Sequence, residues 1–333
     1  IMHKMGLHGK SFIPLIMGFG CNVPAIMASR IIESRKSRLV TILINPLISC
    51  SARLPVFVLI ISAIFPNNQG LVLFAIYLIG ILMATLVGLI MKKVAFAKKE
   101  VPFVMELPPY RIPTMRNTTI HMWHKGQQYL KKMGTVILFA SILIWALGYF
   151  PRDINYSQNY DAQITALEQS TILDQTSKTD SITLLEIKKE SERQEQSYIG
   201  KMGHAIEPVI APLGFDWKMG VSIITGLAAK EIVVSTMGIL YHADMEADEN
   251  SSTLQNNIKE QKHNSGVLKG QTVFTPLVSF GFMLFILIYF PCVAVIAAIK
   301  KEANWGWAIF TMVYTTVIAW IVAFVTYQVG SMF

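Results

Sequence analysis

The sequence predicts an all-α, polytopic membrane protein with broken or re-entrant helices. Three observations carry this. Of the 333 residues, 53% are apolar and 15% are charged, against about 25% charged in an ordinary soluble domain. Mean hydropathy is +0.46, diluted by two polar stretches, 151–207 and 242–272. Without them about 245 residues remain, room for roughly eight to ten spans of ~20–25 residues. Third, several apolar segments carry Pro or Gly inside them. The composition excludes a disordered chain and argues against a soluble enzyme.

The elements follow in order. Residues 1–65 form a first region. Its first segment, Gly9 to Ile32, is interrupted by Pro14, Gly18, Gly20 and Pro24, and its second, Leu39 to Phe65, by Pro46 and Pro55. Proline removes a backbone donor, so these segments read as broken helices or as kinked structural ones. Breaks at membrane depth need protein or a water-filled cavity to satisfy the freed backbone groups. Residues 66–150 hold a plain span, Leu71–Met91, a polar stretch Lys92–Met133 and a further span, Gly134–Phe150. In that polar stretch His121 and His124 share a helix face. They fit a metal pair less well than an interfacial helix anchored by Trp123. The 151–207 insert is polar, with a helix expected near Ile182–Gln196. Region 208–241 contains the apolar segment Trp217–Tyr241, where Ser222/Gly226 and Thr225/Ala229 place small residues four apart for close helix contact. Region 242–272 reads as a flexible polar loop. Region 273–333 holds two spans, Thr275–Ile299, with Pro291 inside it, and Trp305–Val329.

Net charge is +8. The Lys and Arg cluster beside apolar runs, which marks cytoplasmic loops rather than a nucleic-acid surface. Clusters at 35–38, 92–99 and 124–132 belong inside. The uncharged Pro66–Gly70 turn and the 151–207 insert belong outside. If every later segment crosses once, Tyr241 is inside and Lys300-Lys301 falls outside, against the rule. Either one segment is re-entrant or this loop is an exception.

Enzyme motifs are absent: there is no H-E-x-x-H, G-x-S-x-G or C-x-x-C. Gly6, Gly9, Lys10 and Ser11 lack the spacing of a P-loop. No catalytic residue and no tightly bound cofactor is expected. The informative residues are polar groups in apolar runs. Lys230 and Glu231 lie mid-segment and Arg53 lies deep in the second segment. A charge at such depth is costly and faces a cavity or a partner, so these three read as buried charges. They serve a pathway or a structural ion pair such as Arg53–Glu231. Each cysteine stands beside a helix breaker: Cys21 with Asn22 before Pro24, Cys50 between Ser49 and Ser51 before Pro55, and Cys292 after Pro291. A free Cys is often a small buried hydrophobe. All three thiols beside breaks, with Met17 nearby, point instead to a path for a softer transition metal.

The run GLHGKSFIPLIMGFGCNVPAIMASRIIESRKSRLVTILINPLISCSARLPVFVL resembles the ferrous iron transport protein B family, as do TGLAAKEIVVSTMGILY and the C-terminal FILIYFPCVAVIAAIKKEANWGW. The resemblance covers nearly everything but the polar inserts. It implies gate-type inverted repeats, and an Fe²⁺ permease core of the bacterial inner membrane. Cys21, Cys50, Cys292, Asn22, Ser49, Ser51 and Met17 become candidates for its pathway. It further implies an N-terminal GTPase domain, with GTP and Mg²⁺ bound only there, and small cytoplasmic accessory proteins as partners. A homo-oligomer is compatible with it; nucleic acid is not a partner. The chain starts at Ile1, inside a motif-bearing region, and reads as part of a longer protein. A gate-repeat transporter of a nucleoside or organic anion is the alternative, which Lys230 would favour.

Overall fold

Every regular element in the computed structural model is helical, apart from one isolated bridge between Lys262 and Thr272. The structure describes residues 9–94, 114–151, 156–169, 175–241, 252–262 and 270–332. The helices in chain order are α1 (Phe12–Gly20), α2 (Asn22–Ala28), α3 (Arg35–Ile44), α4 (Leu54–Ile64), α5 (Gln69–Val94), α6 (Met115–Tyr149), α7 (Tyr160–Gln169), α8 (Gln175–Gln196), α9 (Tyr198–Ile210), α10 (Trp217–Thr225), α11 (Ile232–Leu240), α12 (Ser252–Glu260), α13 (Pro276–Ile288), α14 (Val293–Glu302) and α15 (Trp305–Gly330). Expectations for Lys98, Lys99, Pro108-Pro109 and Gly6 lie outside the described residues, as does the side chain of His121.

Local chemistry explains where many helices start. Ser34, Ser197, Asp216 and Thr275 each accept a hydrogen bond from the backbone N–H three residues on, and Asn304 accepts from Trp307 N at 2.9 Å. Such caps satisfy donors that a helix N-terminus leaves without partners. The prolines act differently from the expectation. Pro14 and Pro24 fall in the first turns of α1 and α2, and Pro55 in that of α4. There the missing N–H costs nothing, so these prolines start helices, and the breaks lie just before Pro24 and Pro55.

Among the described residues four stretches are long and apolar enough to cross a membrane: Arg35–Ile64, Gln69–Lys93, Pro276–Glu302 and Trp305–Gly330. Along α15, Ile309, Val313, Val317, Ile321 and Val325 are exposed, whereas Ala308, Thr311, Thr315, Ala319 and Ala323 are buried. The bulky stripe suits lipid and the small one suits close helix packing.

The chain divides into two compact units. The first comprises Ile1–Cys50, Ile79–Ala140 and Val293–Thr311; the second comprises Ser51–Leu78, Ser141–Cys292 and Met312–Phe333. In the first, α14 packs against α2, and Arg30 grips Glu302 through Nε–Oε2 at 2.7 Å and Nη2–Oε1 at 2.5 Å. Lys300-Lys301 therefore lie at the same end of this unit as Arg35–Arg38.

The second unit contains a re-entrant hairpin. The segment Trp217–Tyr241 is not a single crossing. Its halves, α10 and α11, have nine residues each, or about 14 Å, too short for a core of about 30 Å. They pack on each other as a hairpin, and the ends of the hairpin meet. Lys218 Nζ donates to Leu240 O at 2.8 Å, and Tyr241 OH donates to Asp216 Oδ1 at 3.1 Å. The chain leaves the hairpin at the end where it came in, which is the re-entrant segment that the charge bias left open.

Three further expectations need correction. The polar 242–272 loop contains α12, whose Leu254 and Ile258 are fully buried where α12 packs on α4; two apolar residues four apart suffice to dock one helical face. Helix α6 runs unbroken for 35 residues, because nothing between Lys131 and Gly134 stops the interfacial helix from continuing into the span. Helix α9, split by the expected boundary at 208, packs as a whole on α10.

Candidate functional site

In the first unit the chain breaks at Cys21. Helix α1 ends at Gly20, Cys21 is extended (φ −149°, ψ 129°), and α2 starts at Asn22. Two buried amides hold the kink. Asn45 Nδ2 donates to Asn22 O at 3.3 Å. The Asn22 amide, oriented to satisfy its surroundings, donates to Gly18 O at 3.1 Å and Asn45 O at 3.2 Å. Gly18 is required here: a Cβ at this position would lie 2.5 Å from Asn45 Oδ1. After α3 comes a short 3-10 turn, Asn45–Leu47, then Ser49 and Cys50 without regular structure before the next turn, Ser51–Arg53. Asn45 Oδ1 and Ser49 Oγ are buried oxygens without a hydrogen-bond partner. Most buried polar atoms find a partner, so these two stand ready to accept.

The second unit is organised around Tyr289. Helix α13 stops at Ile288, and Tyr289 to Cys292 lack helical structure before α14. Lys230, 3% exposed, reaches from the α10–α11 turn to this break. Its Nζ donates to Phe290 O at 2.9 Å and sits 3.2 Å from the Tyr289 ring centroid. An ammonium at a helix C-terminus complements the dipole and the carbonyls left without partners. Over a ring face it gains cation–π attraction as well. Tyr289 OH in turn donates to Ile223 O at 3.2 Å, in the last turn of α10. The two broken ends are thus capped crosswise. Gly226 makes room for this, since a Cβ there would meet the Tyr289 hydroxyl at 2.5 Å. Arg53, in the same unit, is buried at 1% exposure.

The sequence-predicted residues are therefore placed as follows. Cys21, Cys50 and Cys292 all lie at non-helical positions and are half-buried. Asn22 and Ser49 are buried, while Ser51 and Met17 are exposed. Lys230 sits on the Tyr289 ring, Arg53 is buried, and Cys292 lies in the same break as Tyr289. Glu231 is a correction: it is exposed and, among the described residues, has no ion-pair partner, so the pair with Arg53 does not form. It occupies the N-cap position of α11, where a carboxylate is favoured by the dipole, and it diverges from its neighbour Lys230, which turns inward. Sequence reasoning missed Asn45 and Tyr289. Asn45 directly precedes Pro46, and Tyr289 precedes the Phe290-Pro291 break; polar side chains at a break were the available signal. Among the described residues no three His, Cys, Asp or Glu side chains converge as a metal-binding group.

A 170 Å³ cavity in the second unit is lined by Trp145, Tyr149, Arg193, Thr225 and Thr236, among others. Thr236 Oγ1 donates to Thr225 Oγ1 at 3.1 Å, bridging α10 and α11 beside their turn.

A family model described as "Gate: Nucleoside recognition" matches residues 1–64 and 130–306, and one described as "Ferrous iron transport protein B C terminus" matches residues 73–125. Among curated proteins, the chain is 53% identical along its whole length to the "Fe(2+) transport protein A/Fe(2+) transporter FeoB fusion protein" of Porphyromonas gingivalis, covering 39% of that protein. It is 38% identical over 99% of its length to the "Fe(2+) transporter FeoB" of Campylobacter jejuni, covering 48% of it, and 34% identical over its full length to that of Methanocaldococcus jannaschii, covering 43%. The chain thus spans less than half the length of these relatives. No solved structure matches. With its candidate spans and these relatives, the chain is a multi-pass membrane protein that belongs to the Gate family and to the ferrous iron transport protein B family, matching the C-terminal portion of that family's members.

Proposed function

We propose that this chain is the permease core of an Fe²⁺ importer of the bacterial inner membrane. One observation carries the reading: all three thiols stand at helix breaks, half-buried, rather than packed in the core as small hydrophobes. A thiol that is reachable and surrounded by backbone carbonyls and amide oxygens suits a borderline transition metal better than Mg²⁺ or Ca²⁺. Asn45 Oδ1, on the side chain that holds Asn22 O, and Ser49 Oγ, next to Cys50 in the chain, add acceptors, and Lys230 holds the break before Cys292 in shape. Broken helices whose carbonyl ends meet cations are a recurrent transporter design.

The nucleoside or organic-anion alternative drew on Lys230. That ammonium is engaged by Phe290 O and the Tyr289 ring, so it supports a break rather than an anion site. Fe²⁺ uptake by cells carrying the full-length protein, with Mn²⁺ and Zn²⁺ as competitors, tests the reading. Competition by neither metal, together with uptake unaffected by loss of all three thiols, would sink it.

Energy coupling is assigned to an N-terminal GTPase domain in the longer protein, with small cytoplasmic accessory proteins as further partners; the Porphyromonas gingivalis relative carries such a protein fused in its name. The chain itself acts as a transporter part, not as an enzyme. Calorimetric titration of this chain with GTP is expected to show no saturable binding, and micromolar binding would overturn that division of labour.

A further inference from the structure

Within the first unit, the start of α3 and the turn between α14 and α15 enclose a cavity of about 230 Å³, lined by Arg35, Arg38, Leu39, Glu302, Ala303, Asn304 and Trp307. Its charge is unbalanced. Glu302, the acid in its wall, is already held by both Arg30 hydrogen bonds. Among the described residues neither Arg35 nor Arg38 has an ion-pair partner, and Arg38 Nε is a buried donor without an acceptor. A buried N–H left unmet costs free energy, so a complementary acceptor is missing. Two guanidinium-bearing side chains lining one cavity suit the planar, bidentate recognition of phosphate oxygens. The N-termini of α3 and α15 border the same cavity and add positive potential.

The surroundings say where a phosphate would come from. Lys300 lies over the Trp305 ring at 4.3 Å, and Trp305 is exposed. Just beyond it, Ile309, Phe310 and Val313 expose apolar side chains along α15. Basic and Trp side chains above an apolar helix surface mark the level of lipid headgroups. The basic loops place this end on the cytoplasmic side, where pockets between membrane helices take up anionic lipid.

We propose that Arg35 and Arg38 form a phosphate site that holds the headgroup of an anionic phospholipid of the cytoplasmic leaflet. The site does not depend on which ion the chain transports. The test uses full-length protein in nanodiscs of phosphatidylglycerol mixed with phosphatidylcholine, and counts lipid retained by native mass spectrometry. Wild type should keep phosphatidylglycerol selectively. Arg35→Gln/Arg38→Gln should lose about tenfold in retention, Arg38→Lys should lose less, and Lys92→Gln/Lys93→Gln, at another basic cluster, should retain it as wild type does. Equal retention in wild type and the double variant would overturn the site, and so would equal loss in the Lys92/Lys93 variant, which would mean general surface charge. In phosphatidylcholine discs, saturable binding of inorganic phosphate that depends on both arginines would move the assignment to a soluble anion and overturn the lipid source. Should the double variant not fold, Arg35→Gln against Arg38→Lys gives the same reading from single changes.

Discussion

The break at Cys21 and the break at Pro291-Cys292 solve one problem by opposite means. Both interrupt a helix among apolar residues, where freed carbonyls cannot turn to water. At Cys21 two neutral amides, Asn22 and Asn45, bridge the pieces and leave Asn45 Oδ1 and Ser49 Oγ as unspent acceptors. At Pro291 a buried ammonium spends the carbonyl of Phe290. The neutral break is thus rich in acceptors and open to an incoming cation, while the charged break carries a tethered cation of its own. A pair of side-chain types, amide against ammonium, decides which break keeps unspent acceptors and which has its carbonyl already engaged.

The largest effect should come from the thiols at these breaks. On the proposed reading, Cys21→Ala in the full-length protein lowers Fe²⁺ uptake about tenfold or more, and Cys21→Ser loses less, because the hydroxyl still offers an oxygen. Equal uptake by wild type and Cys21→Ala would remove the neutral break from the pathway. Next comes Lys230→Met. It leaves Phe290 O buried and unmet and should destabilise the protein by about 2 kcal/mol, read as a lower melting temperature in detergent, with Lys230→Arg closer to wild type. An unchanged melt would show that the charged break does not need its cation.

Gly18→Val sharpens the other side. Its Cβ would collide with Asn45 Oδ1, and overpacking of this kind costs about 1–3 kcal/mol. Gly126→Val, where a Cβ meets nothing within 4 Å, is the helical control. A smaller, pH-dependent effect belongs to the insert, away from both breaks. Burial pushes the Glu192 carboxyl up, but hydrogen bonds from Ser157 N at 2.6 Å, Tyr160 OH at 2.8 Å and Ser157 OH outweigh it and hold the group below its ordinary value. Its contribution is therefore present above the ordinary carboxylate pKa and lost as pH falls through the lowered folded value. Proteolysis of the 151–207 insert should speed up over that acid range in wild type, and Glu192→Gln should flatten the dependence. The smallest effect is expected at Glu231. Glu231→Gln on an exposed, unpaired carboxylate should shift stability by no more than about 0.5 kcal/mol; a drop as large as that for Lys230→Met would mean that the charged break needs both residues.

Much of this was legible in the residues. Membrane class followed from charge scarcity and apolar runs, and the breaks followed from Gly20-Cys21 and Pro291-Cys292, because backbone donors and φ restrictions are properties of single residues. The depth of Lys230 and Arg53 was legible too, since a charge in an apolar run must turn inward. What composition could not decide is direction. The run Trp217–Tyr241 is as long as a crossing, and periodicity gives the same answer for a span and for a hairpin of two short helices. Lys218 on Leu240 O and Tyr241 on Asp216 decided it, contacts between residues more than twenty positions apart. Glu231 and Lys230 are neighbours with opposite fates for the same reason: the turn between α10 and α11 sends one outward and the other to Phe290. The sequence by itself determined that each of these cysteines stands beside a helix breaker. Only the tertiary structure decided what fills each break, because a cap for a lost backbone bond is chosen by which side chain arrives in space, not by which stands next in the chain.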